Sequence, residues 1–329
     1  PRARIALTLL SSSDPGRLPL RPGSLASGAA SPIATGHTGS MAPARSAPDL
    51  RGLLCGSGAG LAAPGMAELV VELVGREAAA IEVLYLGTAT YDRAEARERQ
   101  TGRLAELGCT VATLDVALES PPAEVIEEHI ARADVLAVSG GNTLYAVDRW
   151  VDLAIDHLLR AAIDRGAVIC GGSAGAICWF DGGHSDSMDP TSYRQPVADD
   201  DPRATDWRYL RVDGLGVLPG LLCPHYDVTQ RNGVLRAADF EQMLQRHAGE
   251  TGLGLDDAAG LVLEGERYRI VAAGEGEPAA WMMEADRSDV RRRRVEPAGS
   301  SSDILRPARS IEPDPLVSRA RAQNPVPPS

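Results

Sequence analysis

One ten-residue stretch restricts the fold of this chain more than anything else in it. Ala167-Val168-Ile169-Cys170 is a short apolar run that meets Gly171-Gly172-Ser173-Ala174-Gly175-Ala176. The run reads as a fully buried strand, and the residues after the glycines read as the start of a helix. Between them, Gly171-x-Ser173-x-Gly175 has the spacing of a nucleophile elbow, a strand-to-helix turn too sharp for side chains on either flank. Such a turn lifts the hydroxyl clear of the sheet and points backbone N–H groups toward a reacting oxygen. Glycine-rich turns of this kind also serve as plain packing or as phosphate sites, so the spacing by itself leaves Ser173 a candidate.

The rest of the chain repeats the alternation that the elbow demands. Strands are expected at 53–55, 81–86, 109–114 and 134–138, and helices at 64–75, 92–107, 121–132 and, in one or two pieces, 142–165. Gly108 caps the second helix, and Pro121 and Pro122 suit the first turn of the third. Alternation like this builds right-handed βαβ units: an α/β fold with a mainly parallel sheet flanked by helices, its sites at the carboxyl ends of the strands. Ser139-Gly140-Gly141-Asn142-Thr143 and the elbow then share one edge of that sheet. The glycine run at 56–60 is no dinucleotide fingerprint, because its third small position falls on Leu61. Past the elbow, 182–187 reads as a polar loop and 199–202 as a solvated insertion. An apolar run at 215–224 leads into His225, and a helix comes next at 233–247. Short strands at 252–255, 260–263 and 268–272 form an antiparallel meander at the sheet's edge.

Residues 1–50 and 276–329 lack periodicity and read as disordered arms around a folded domain at 51–275, with Met41 the expected start. The formal net charge of −12 argues against nucleic acid as a partner. All 33 basic residues are arginine, and the run Arg291–Arg294 reads as a solvated face. No apolar run approaches the roughly 18 residues of a membrane span, so no membrane partner is expected. Cys55, Cys109, Cys170, Cys178 and Cys223 sit in or beside apolar runs without a Cys-x-x-Cys, which fits free thiols in a reducing cytoplasm. Cys178, His184 and Asp186 lie close together but lack ligand spacing, so no metal is expected.

A serine hydroxyl needs a base, and the base needs an orienting carboxylate. His37 falls in the N-terminal arm, and His129, His157 and His247 lie on helices amid charged residues. His225, behind Pro224 at the end of an apolar run, is the better base, and His184 is the alternative. Asp186, Asp256 and Asp257 remain open as the carboxylate, while Asp227 is too close to His225 in sequence to be an obvious orienter. The Ala174 and Gly141 N–H groups are available as an oxyanion pair.

Three stretches carry a family likeness: Ser139-Gly140-Gly141-Asn142-Thr143, Gly172-Ser173-Ala174-Gly175-Ala176 and Pro224-His225-Tyr226. Together they resemble the peptidase E family of serine peptidases, alpha-aspartyl dipeptidases related to cyanophycinase, over roughly residues 53–272. The resemblance implies a class I glutamine-amidotransferase-like, three-layer fold. It makes Ser173 the nucleophile, His225 the base and Asp186 the third member, with Gly141 and Ala174 supplying the oxyanion N–H groups. Asn142 and Thr143 become substrate-binding residues. The partner it implies is a small peptide with N-terminal aspartate, handled by a monomer or homodimer with no metal or organic cofactor. Aspartate selectivity needs a cation, and without lysine an arginine must supply it: Arg194, Arg208 and Arg231 are near the right segments. A cyanophycinase-like exopeptidase, an esterase on the same scaffold and a catalytically silent binding module are the alternatives. Ser139 stands where the family has the first glycine of Gly-Gly-Gly-Asn, and Asp186 sits in a different local sequence, Ser185-Asp186-Ser187.

Overall fold

In the computed structural model, which describes residues 50–286, 289–307 and 313–328, the apolar runs become two sheets. The first half of the chain gives β1 (Arg51–Cys55), α1 (Met66–Val74), β2 (Glu82–Leu86), α2 (Ala94–Glu106), β3 (Thr110–Thr113) and α3 (Ala123–Arg132). β4 (Val135–Val138), α4 (Thr143–Asp152), α5 (Ile155–Asp164), β5 (Val168–Gly172) and α6 (Ala174–Ile177) complete it. The second half gives β6 (Phe180–Ser185), β7 (Leu210–Asp213), β8 (Leu218–Cys223), α7 (Arg236–Arg246), β9 (Thr251–Leu255) and β10 (Ala259–Glu264). It ends with β11 (Arg267–Ala272), β12 (Ala280–Ala285), β13 (Val290–Arg294), β14 (Ala298–Ser300) and α8 (Val317–Gln323). The arm expected at 1–50 falls, but for Leu50, outside the described residues.

β1, β5, β4, β2 and β3 lie side by side, all parallel, and β10, β11 and β14 extend the sheet antiparallel from β1. Side-chain alternation fixes the layers. Leu53, Val83, Val135 and Val168 join Met66, Val70 and Leu104 of α1 and α2 on one face. Leu54, Leu84, Leu136 and Ile169 join Ile126, Trp150 and Leu159 of α3, α4 and α5 on the other. Each large side chain so buried contributes about 1.5–3 kcal/mol.

The second sheet runs β13-β12-β9-β8-β6-β7, with β6, β8 and β9 parallel. It shares the larger core through Leu221, Leu222, Leu253 and Met282, together with Phe240 and Met243 of α7. The whole is a mixed α/β protein, two sheets with flanking helices.

Three sequence expectations need correction. Residues 182–187 are not a polar loop, because all but the last two belong to β6. Its glycines hid the strand: a Cβ on Gly182 would lie 2.3 Å from Val212 O, and one on Gly183 2.4 Å from Leu222 O, so β7 and β8 crowd both. Nor does 252–255 belong to the antiparallel meander, since β9 pairs parallel with β8 in the other sheet. Finally, 276–329 is not mostly disordered: it supplies β12, β13, β14 and α8. The ladder to β12 and the polar contacts of its arginines, rather than apolar periodicity, hold β13. Arg292 lies over the Trp281 ring and reaches Glu241, Arg293 donates to Asp303 O at 2.7 Å, and Arg294 to Glu277 at 2.7 Å.

Candidate active site

Ser173 occupies the one residue between β5 and α6, at φ 55° and ψ −121°. An L residue holds that conformation only where its surroundings over-determine it. Here they do: a Cβ on Gly171 would fall 2.3 Å from Gly175 O, on Gly172 2.3 Å from Ser57 O, and on Gly175 2.2 Å from Val138 O. The spacing in the sequence is therefore a packing requirement in its own right. Cys170 in the strand before this turn and Cys223 are both buried, and burial pushes their thiols up to about 12.

The end of β1 holds the site together across both sheets. Cys55 O accepts from Ser173 N at 3.0 Å, and the next carbonyl, Gly56 O, accepts from His225 N at 3.0 Å. A Cβ on Gly56 would overlap Asp256 O at 2.0 Å, so only glycine lets this loop pass between the ends of β5, β8 and β9.

His225 comes after β8 in a left-handed conformation, φ 49°. Its Nε2 lies 2.8 Å from Ser173 Oγ, and its Nδ1 bonds Asp257 Oδ1. The hydrogen bond from His225 holds the Asp257 carboxyl below its ordinary range, so the carboxylate is ionised and accepts. Nδ1 then carries the proton and Nε2 is left to accept from the serine hydroxyl. Asp227 Oδ1 accepts from Asp257 N at 2.8 Å and fixes the carboxylate's backbone. Asp256 is bonded elsewhere. It accepts from Trp281 Nε1 at 3.0 Å, and burial pushes it up to about 6.

Asp186, the expected third member, is elsewhere occupied. Its Oδ2 accepts at 2.9 Å from Nη1 of Arg236, a fully buried guanidinium that also donates to His184 O at 2.6 Å. A buried cation needs an anion beside it, and Asp186 is that anion. The structure thus brings Asp257, not Asp186, to His225. The signal was in the strand pairing: β8 and β9 are parallel with Cys223 opposite Gly254, so both chains leave the sheet at one edge. Reading 252–255 as part of an antiparallel meander concealed that.

Asn142 and Thr143, expected on substrate, are 2% and 0% exposed. Asn142 Oδ1 caps α4 through Tyr145 N at 3.0 Å, while its Nδ2 donates to Ser187 O at 3.1 Å. Thr143 Oγ1 accepts from Ser185 at 3.3 Å. Both side chains serve the scaffold. Gly141 is required by the backbone itself: φ is +118°, and a Cβ would strike Ala89 O at 2.2 Å. The turn it belongs to does border Ser173, since a Cβ on Gly140 would sit 3.6 Å from its Cβ. Ala174 opens α6, where an N–H has no partner in the helix itself.

Of the three candidate arginines, Arg231 pairs with Asp199 at the surface, Arg208 is exposed, and Arg194 lines a cavity of about 410 Å³ with Tyr193, Trp207 and Arg319. Among the described residues no group of three or more His, Cys, Asp or Glu is placed to hold a metal ion, and no helix is long and apolar enough to cross a membrane. What the arrangement offers chemically is a serine hydroxyl hydrogen-bonded to an imidazole whose other nitrogen is held by a carboxylate, with backbone N–H groups beside it.

Residues 53–271 match the sequence model of peptidase family S51. The uncharacterized peptidase YgaJ of Bacillus subtilis (strain 168) is 29% identical over 205 residues, 62% of this chain and 79% of that protein. A Trypanosoma brucei brucei protein named G2/mitotic-specific cyclin-1 is 28% identical over 283 residues, 76% of this chain and 83% of that one. Among solved structures, a peptidase from an acI-B1 Actinobacterium shares the fold, with a TM-score of 0.54 at 17% identity, over 77% of this chain and 97% of its own.

Proposed function

This chain belongs to peptidase family S51, and from that premise we propose that it hydrolyses small peptides through Ser173. The observation that carries the reading is the row Ser173 Oγ, His225, Asp257, assembled from the ends of three different strands. Ser173 Oγ attacks the scissile carbonyl carbon while its proton passes to His225 Nε2. Asp257 holds the imidazole in the accepting tautomer and stabilises the imidazolium that forms. The Ala174 and Gly141 N–H groups receive the negative charge that develops on the carbonyl oxygen. As the C–N bond breaks, the leaving amine takes the proton back from Nε2, and an ester to Ser173 remains. Water then attacks that ester, losing its proton to Nε2, and the acid leaves as Ser173 regains its hydrogen.

The finer parts of the proposal rest on the likeness to peptidase E: a class I glutamine-amidotransferase-like scaffold, and dipeptides with N-terminal aspartate as substrates. Arg194 is the arginine we favour for the substrate carboxylate, because it borders a cavity and its guanidinium has no acidic partner among the described residues. Arg231 is engaged with Asp199. Five free, buried cysteines support a reducing compartment, the cytoplasm.

The test is hydrolysis of a panel of chromogenic aminoacyl anilides and esters, N-terminal aspartate among them, by wild type and Ser173→Ala. Cleavage confined to the aspartyl substrates and lost in the variant supports the whole proposal. Cleavage of other substrates, again lost, keeps the serine mechanism and discards the aspartyl preference. Equal activity of the two proteins removes the serine mechanism.

A further inference from the structure

Residues 313–328 lie beyond the stretch matched to the family, and they return across the body of the protein as a strap. Asp314 anchors its start: Oδ2 accepts from Arg211 N at 3.0 Å, and Oδ1 accepts from Leu316 N at 2.9 Å, just ahead of α8. Arg321 makes two 2.7 Å bonds to Asp148 of α4. Farther on, Pro327 O accepts from Arg149 at 3.3 Å. Between these anchors, Asn324 Nδ2 donates to Tyr91 Oη at 2.9 Å and its Oδ1 accepts from Arg194 N at 3.3 Å.

Tyr91 carries that contact inward. Its hydroxyl gives its one proton to Ser192 O at 2.8 Å, so Asn324 occupies the acceptor side and neither bond displaces the other. Tyr91 stands at φ 56°, with Asp92 next to it at φ 57°, and its ring packs edge-on against Tyr145 at 4.8 Å. The segment that Tyr91 grips is also held by Asn142, through Ser187 O. Asn142 N in turn donates at 2.8 Å to Ala89 O, the same carbonyl that a Cβ on Gly141 would strike. Asn324, Tyr91, the 187–192 segment, Asn142 and Ala89 thus make one hydrogen-bonded frame around Gly141.

We propose that Asn324, acting through Tyr91, is a positioning residue for the reaction: the strap fixes the frame that holds the Gly141 N–H where the oxyanion forms. This rests on the proposed role of Gly141. A donor displaced by a fraction of an ångström stabilises the transition state less while ground-state binding is unchanged, so the loss falls on kcat and not on KM. The pH profile stays where it was, because neither His225 nor Asp257 belongs to the frame.

Asn324→Ala, Tyr91→Phe and the double variant test this, with kcat, KM and the pH profile measured on the best ester substrate. Each single change is expected to lower kcat about tenfold; KM stays within about twofold for Tyr91→Phe, whereas Asn324→Ala also frees Arg194 N and is expected to raise KM as well. The double variant is expected to be no worse than the poorer single one, because both cut the same path. If Tyr91→Phe does not fold, Asn324→Ala, on the strap itself, decides through its loss of kcat. A kcat for Asn324→Ala within twofold of wild type, a loss confined to KM, a shifted pH profile, or losses that multiply in the double variant each overturn the proposal. Failure of the underlying reading shows separately, as a Ser173→Ala protein that is as active as wild type.

Discussion

His225 and His184 each hold one ring nitrogen against a carboxylate, Asp257 for the first and, at 3.0 Å, Asp239 for the second. Their other nitrogens differ. His225 presents Nε2 to Ser173 at 2.8 Å, whereas Nδ1 of His184 is buried without a partner among the described residues. The His225 side chain is 18% exposed and that of His184 is 0% exposed, the latter stacked 4.2 Å from the Tyr209 ring and 5.6 Å from Phe240. Burial pushes His184 down to about 4, so it is neutral at pH 7. One histidine sits just past the end of a strand, where a substrate can arrive; the other lies within β6, between two neighbouring strands. A His–Asp pair is therefore no signature of catalysis. What distinguishes the two is where the strand stops and what the second nitrogen meets.

The comparison breaks most decisively at Ser173. Ser173→Ala and His225→Ala are expected to lower kcat by about 10⁴- to 10⁶-fold, while His184→Gln, whose amide still reaches Asp239, stays within about threefold. Inactivity of a folded His184→Gln protein would reverse the assignment.

The carboxylates come next. Asp257→Asn is expected to cost about 10³- to 10⁴-fold in kcat with little change in stability, because the amide enforces the wrong tautomer on His225. Asp186→Asn strands the buried Arg236 cation instead, and is expected to lose about 3–5 kcal/mol of stability in urea denaturation while the folded fraction stays active. A stable, inactive Asp186→Asn protein would make Asp186 the third member after all.

The two histidine environments also separate by pH. Since His184 binds its proton more weakly folded than unfolded, the unfolded chain takes up protons first as pH falls. Its contribution to stability is complete above about 6.5 and declines as pH falls from there toward about 4. His184→Gln should flatten the Tm-versus-pH curve in that window, and an unchanged slope would mean that His184 titrates normally. Smallest is the effect at Asp256, whose raised value works in the opposite sense. It favours the folded state least above about 6, so Asp256→Asn should raise Tm slightly at pH 8 and leave it unchanged at pH 4. A lower Tm at pH 8 would show that the Trp281 bond outweighs the burial cost.

Much of this molecule is legible in its sequence because apolar periodicity reports burial. The four strands before the elbow and the helices between them come from alternation alone, and the Gly-x-Ser-x-Gly spacing reports a turn that no bulkier residues fit. Where glycine or charge replaces apolar bulk, the pattern goes silent. β6 is written Phe-Asp-Gly-Gly-His-Ser and β13 Val-Arg-Arg-Arg-Arg, and neither announces a strand. The third site residue was hidden for a related reason. Asp186 and Asp257 are equally plausible in sequence, and only the parallel pairing of β8 with β9 brings one of them to His225. Asn142 illustrates the converse, a residue within a functional motif whose side chain is consumed by a helix cap.

The most direct measurement is the rate of labelling by a fluorophosphonate, read by intact mass and peptide mapping, in wild type, Asp257→Asn and Asp186→Asn. A Ser173–His225–Asp257 row predicts a single adduct on Ser173, formed at least about a hundredfold more slowly in Asp257→Asn and at the wild-type rate in folded Asp186→Asn. An adduct on another residue, or labelling that depends on Asp186 and not on Asp257, would contradict it.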